Sequence, residues 1–166
     1  MEKSVCFIGH RKINDTPELH KRLVNIISEL LNDGITNYIF GDHSEFNDIC
    51  YDIVTEFKKA YPQIKRINFR TNYENADSYT MRFLISGYEE SIFPNGVSGS
   101  GKASYVKRNA AMISESEVCV FYYNKGYLPP KRKHNKKCVD EYQPKSGTAL
   151  AYKYALSMKK RIINCF

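Results

Sequence analysis

No apolar run in this chain approaches the roughly 20 residues that a membrane-crossing helix requires, so no helical membrane anchor and no membrane partner are expected. Met1 to Lys3 lead straight into an apolar run without the pattern of a cleavable leader, and cytoplasmic residence is the default expectation. A C-x-x-C pair is also missing. The five cysteines (Cys6, Cys50, Cys119, Cys138 and Cys165) are scattered and odd in number. That pattern argues against a disulfide frame or a zinc knuckle; neither a metal site nor a bound cofactor is expected. Cys6, Cys119 and Cys165 lie inside apolar runs, where a cysteine acts as a small buried hydrophobe. The sequence contains no internal repeat and no sign of a second domain.

What is present suits one folded α/β domain. The 166 residues, 42% of them hydrophobic, suffice for one sizeable core. A net charge of +7 favours anionic partners. Much of the excess lies in Lys131-Arg132-Lys133-His134-Asn135-Lys136-Lys137, which reads equally well as a solvated loop or as an anion-contacting one.

Strand-like and helical patterns alternate along the chain. Ser4 to Ile8 is a short apolar run ending at Gly9. Asp15 or Thr16 caps a helix with Pro17 in its first turn, and Leu19, Leu23, Ile26, Ile27, Leu30 and Leu31 recur at helical spacing up to Gly34. Thr36 to Phe40 reads as a second strand, and Glu45 to about Ala60 as a helix ended by Pro62. A third strand is expected over Ile64 to Phe69, and a strong one over Val118 to Tyr123. Met81 to Tyr88 reads as helical, Phe93 to Lys102 as a loop, and Tyr105 to Ser114 as a helix. A polar, basic connection over Asn124 to Lys145 precedes a helix from Gly147 to about Lys160 and a last strand, Arg161 to Cys165. This alternation predicts a Rossmann-like, doubly wound, mostly parallel sheet of about five strands with helices on both faces. Ligands bind such sheets outside the carboxyl ends of the strands, where the strand order reverses.

Four motifs fall on that predicted edge: Gly9-His10-Arg11, Gly41 to Asp48, Arg108 to Met112, and Ser146-Gly147-Thr148. A helix start offers free N–H groups and partial positive charge, and glycine lets a phosphate reach the backbone, so Ser146, Gly147 and Thr148 are candidate phosphate ligands; the plainer alternative is an N-cap serine. Gly9, His10, Arg11, Gly41, Asp42 and Arg108 are the other candidate binding residues. Arg11 could clamp a phosphate bidentately; His10 could serve as an acid or a stacking ring, or only hydrogen-bond nearby backbone. Asp42, Glu45 and Asp48 could hold ribose hydroxyls, and Glu45 and Asp48 are the candidate catalytic carboxylates. Their plainer role is to answer a helix dipole. Gly96 to Ala103 nearly matches a P-loop, but Ala103 cannot ligate magnesium, and Glu89 to Asn95, with Pro94, predicts no strand before it.

Taken in order, these segments resemble the SLOG superfamily (named from the Smf/DprA and Lonely Guy proteins), in particular its YpsA-like branch. Phe7 to Arg11 resembles the branch's TGHR strand end. Gly41 to Cys50 resembles its GGALGFDxxA turn, with Phe46 matching and Asn47 in place of Asp. Arg108 to Met112 resembles the RKxxM element, and Ser146 to Thr148 the glycine–threonine of GGxGT. The resemblance implies a Rossmann-like domain that binds a phosphorylated nucleotide or nucleotide derivative, as a sensor or regulator. A nucleotide-type small molecule is the expected partner, with nucleic acid a lesser alternative and a homo-oligomer expected. Lonely Guy proteins cleave the N-glycosidic bond of nucleoside monophosphates, but their pattern continues with Glu where this chain has Ala149, Leu150 and Ala151. Binding without efficient turnover is therefore expected. The competing reading is an N-glycosidase or deoxyribosyltransferase-like enzyme that would use Glu45 or Asp48.

Overall fold

A computed structural model of the chain describes residues 2–41, 44–71, 78–79, 82, 86–97 and 101–166. Within them a parallel sheet lies between two helical layers. The strands are β1 (Lys3–Gly9), β2 (Ile35–Phe40), β3 (Lys65–Phe69), β4 (Glu90–Ile92), β5 (Val118–Tyr122) and, after a separate hairpin of β6 (Arg132–Lys133) and β7 (Glu141–Tyr142), β8 (Arg161–Asn164). The helices are α1 (Pro17–Asn32), α2 (Glu45–Ala60), α3 (Lys102–Ser114) and α4 (Gly147–Ser157).

The six-stranded sheet runs β4-β3-β2-β1-β5-β8, every pairing parallel. The chain winds outward from β1 to β4, then returns to the other side of β1 at β5. The order therefore reverses between β1 and β5, and this is the topological switch point.

Because side chains alternate across a strand, the central strands β1, β2 and β5 feed both layers. Val5, Phe7, Tyr38, Phe40, Val118 and Val120 pack with Leu19, Leu23, Ile27 and Leu30 of α1 and Phe46, Cys50 and Val54 of α2. On the other face Cys6, Ile8, Ile39, Ile67, Cys119 and Phe121 pack with Met112 and Ile113 of α3 and Ala151 and Ala155 of α4. Thr16 caps α1 by accepting the Leu19 N–H, Pro17 opens it, and Gly34 follows it in the left-handed region at φ 82°. All five thiols are free, and Cys6 and Cys119 are neighbours in the β1–β5 register. Burial raises the thiol pKa of Cys6 and Cys50, and brings that of Cys165 up to about 12.

Two elements differ from the sequence expectation. β4 occupies part of the Glu89–Asn95 stretch that predicts no strand: three residues at the sheet edge, paired Asn68↔Ser91, need little apolar content because one side faces solvent. A strand therefore does precede Gly96 and a helix opens at Lys102, and the case against a P-loop rests on Ala103 and on Lys102, whose Nζ donates to the Lys145 carbonyl. Second, the basic connection carries the antiparallel β6–β7 pair. The expected Met81–Tyr88 helix falls largely outside the described residues. No described helix is long and apolar enough to cross a membrane.

Candidate functional site

In a parallel sheet every strand ends on the same edge. The segments after β1, β2 and β5 meet there, and α4, which leads back to the start of β8, opens there.

Gly9 closes β1 opposite Tyr122. A Cβ on Gly9 would lie 2.5–2.8 Å from Phe46 atoms, so glycine here lets the fully buried Phe46 seat α2 against the strand end. His10 is buried. Its N–H donates to the Tyr122 carbonyl at 3.4 Å, and its Nε2 accepts the Asn124 N–H at 3.0 Å. Burial lowers the His10 pKa below its ordinary value, and the bond from Asn124 requires Nε2 unprotonated. The neutral ring thus fastens β1 to the segment after β5, the plainer of the roles considered for it. Tyr127 lies over it, ring centroids 4.2 Å apart.

Arg11 is exposed, and its carbonyl accepts the Glu45 N–H at 3.2 Å. The Glu45 carboxylate accepts the Ile13 N–H at 2.9 Å. Glu45 is therefore tied to the loop after β1 by two bonds, while Asp48 is an exposed residue of the first turn of α2. Ser44 caps that helix through the Asn47 N–H at 3.2 Å. Asp42 lies outside the described residues.

Arg108 reaches this edge from the opposite face. It is buried on α3, with its Cζ 5.6 Å from the Tyr105 ring centre and its Nε donating to Asn109 Oδ1 at 3.0 Å. The guanidinium lies against Gly41 so closely that a Cβ there would sit 2.7–2.9 Å from it. Asn68 donates to the Gly41 carbonyl at 3.2 Å, fixing the end of β2 from the other side.

At α4 the N-cap reading holds: Ser146 Oγ accepts the Ala149 N–H at 3.3 Å, and its carbonyl accepts the Leu150 N–H at 3.1 Å. The Gly147 and Thr148 N–H groups have no acceptor among the described residues, as a helix start leaves them. Gly147 differs from Gly9 and Gly41. Its φ is not in the left-handed region, and an added Cβ would meet nothing within 4 Å. Neither backbone conformation nor packing demands glycine there. The first turn carries no acidic residue. Lys102 ties the start of α3 to the residue before Ser146.

All four motifs thus reach one edge, and two of the groupings are direct contacts: Arg11 with Glu45, and Gly41 with Arg108. The sequence reading missed Tyr127, Asn68 and the Lys102–Lys145 link, which only the fold brings near. Tyr105 had a readable signal, since it precedes Arg108 by the three-residue helical spacing that brings side chains together.

No protein-family model and no curated protein matches the chain. Among solved structures it is similar to DNA processing protein A from Helicobacter pylori, whose structure is described for its single-stranded DNA binding mode. The TM-score is 0.56 at 17% identity, over 96% of this chain and 63% of that one. The chain therefore spans less than two thirds of that protein's length, and what the two share is the fold: an α/β, Rossmann-like domain built on a parallel sheet.

Proposed function

We propose that the chain binds a phosphorylated nucleotide or nucleotide derivative at the carboxyl edge of its sheet, as a sensor or regulator of the YpsA-like kind. One observation carries the reading. Gly147 stands at the first position of α4 between two buried polar neighbours, beside two N–H groups without acceptors among the described residues, and neither its backbone conformation nor its described neighbours require glycine. The close approach of a phosphate supplies a reason for it, and the positive end of the helix favours the charge. Arg11 and Arg108 add cations from two other elements at the same edge. Single-stranded DNA, for whose binding mode the structural neighbour is described, is itself a chain of phosphorylated nucleotides and supports the same ligand chemistry.

The test is mass spectrometry of small molecules released from the purified, denatured protein, followed by thermal unfolding with the nucleotides found. A nucleoside phosphate that stabilises the wild type and not a Gly147→Leu variant supports the proposal. Stabilisation unaltered by that substitution refutes it.

The glycosidase alternative is less well supported. Glycosidic cleavage needs a carboxylate free to stabilise a developing sugar cation, and Glu45 is held by the Ile13 N–H.

A further inference from the structure

The hairpin that interrupts the return from β5 to α4 has no part in the site above. Its five cations, Lys131, Arg132, Lys133, Lys136 and Lys137, are all exposed. Among the described residues, the ion pairs join His20 to Asp15, Lys58 and Arg66 to Glu89, Lys59 to Glu56, Lys65 to Glu2, and Arg161 to Asp33. None involves the hairpin, although Asp140 and Glu141 lie on it and Lys133 is paired with Glu141 in register. Among the described residues Lys58, Lys59, Lys65, Arg66 and Arg161 are answered by acids, whereas no cation of the hairpin is, although five stand within seven positions there.

The arm also has a defined shape. Gln143 donates to the Pro129 carbonyl at 2.5 Å and closes its base. Asn135 Oδ1 accepts the Lys137 and Cys138 N–H groups at 2.9 and 3.0 Å and shapes its tip. On it the His134 and Tyr142 rings stack in parallel, centroids 4.5 Å apart and planes within 16°, with Tyr142 paired to Arg132. In sequence this run has aromatics only at its flanks. The hairpin folds one of them back among the cations, and Tyr142 remains 39% exposed.

We propose that this arm is a separate binding surface for single-stranded nucleic acid, its cations tracking the phosphates and the His134–Tyr142 stack receiving a base. Unanswered cations alone would suit any polyanion. A planar aromatic shelf among them suits unpaired bases, whose faces a duplex keeps covered. The arm shares no residue with the α4 start, so the two sites can fail separately.

The experiment is fluorescence anisotropy of labelled dT20 and rU20 against the full chain over a salt series, with a blunt duplex and polyglutamate as competitors. Variants are the five-site Lys131→Gln/Arg132→Gln/Lys133→Gln/Lys136→Gln/Lys137→Gln, Tyr142→Ala, and Gly147→Leu. Binding of either strand is expected. The five-site variant should weaken it by at least tenfold and flatten the log–log salt slope by about 0.7 for each phosphate it no longer neutralises. Tyr142→Ala should cost about tenfold, and Gly147→Leu should leave the arm's salt slope in place. Unchanged melting temperatures would show that the arm variants fold, as its exposure predicts. The inference is overturned if the wild type binds neither strand, if the five-site variant binds as the wild type does, or if Tyr142→Ala has no effect. Duplex or polyglutamate competing as well as unlabelled strand would also overturn it. Strand binding through the arm without mononucleotide stabilisation would refute the proposed function and leave this inference standing, and the reverse result would do the opposite.

Discussion

Replacing Gly147 should separate the proposed phosphate binding from folding. A Cβ there meets nothing within 4 Å, and the residue opens a helix whose N-cap bond runs from Ser146 to Ala149. Alanine or leucine is a better helix former than glycine, so folding stability should stay level or rise by a fraction of a kcal/mol. Binding should behave oppositely. The N–H groups of Gly147 and Thr148 are the donors a phosphate would use, and a hydrogen bond to a charged group contributes about 1.5–3 kcal/mol. A leucine side chain that keeps phosphate away from both therefore costs about 3–6 kcal/mol, or two to four powers of ten in affinity. At a ligand concentration of about 100 times Kd, the wild type gains about 2.7 kcal/mol from binding, which in a domain of this size is a rise of about 5–11 °C in melting temperature. The Gly147→Leu variant should lose nearly all of that rise, and its ligand-free melting temperature should stay within about 4 °C of wild type. Scanning fluorimetry with and without nucleoside phosphates measures both numbers. A variant that melts normally and keeps the full ligand shift would refute the reasoning. So would one that fails to fold, because it would show that glycine answers to packing after all.

Gly9→Ala should behave in the contrary way, costing about 1–3 kcal/mol by overpacking against Phe46, as urea denaturation would read. Tyr38→Phe should stabilise the chain by about 1 kcal/mol, because the Tyr38 hydroxyl is buried without a hydrogen-bond partner among the described residues; a loss of stability in the same assay would contradict this. Arg108→Ala should weaken nucleotide binding by about tenfold or more, whereas an unchanged titration would remove Arg108 from the site. For Glu89, burial opposes ionisation, but Arg66 and Lys58 hold its carboxyl down at about 2. A lowered carboxyl pKa contributes stability above its unfolded value that is lost as pH falls through the folded one. Wild type should therefore lose part of its stability between about pH 4.5 and 2, and Glu89→Gln should be flatter over that window in pH-dependent denaturation.

The elements with a strong period were legible from sequence. Leu19 to Leu31 and Phe46 to Phe57 sit on helices whose apolar face is continuous, and Val118 to Tyr122 is a strand buried throughout. Pattern could not find β4, because an edge strand of three residues shows neither alternation nor an apolar run. Nor could it find the β6–β7 hairpin, whose strands are too short for any period and whose order comes from Asn135 and Gln143 side chains bonding to backbone. At the carboxyl edge, composition marked the glycines but not what each one does. Gly9, Gly41 and Gly147 look alike in sequence, and only geometry separates the two that admit a neighbouring side chain from the one that faces open space.

The placement of β1 at the middle of the sheet also bears on the order in which the molecule becomes competent. β1 meets β5 only after the chain has travelled out to β4 and back, and the bond from Ser4 to Glu117 spans 113 positions. Closing so long a loop is entropically the most demanding step in assembling the sheet. Yet the carboxyl edge proposed to bind the ligand is completed at that seam, where Tyr122 and Asn124 hold His10. Helices α1 and α2 can collapse on β1 and β2 through neighbours much nearer in sequence, and would give a partly ordered chain without that seam. During refolding, ligand recognition should therefore lag behind the recovery of helical signal, making a bound ligand a reporter of the finished sheet.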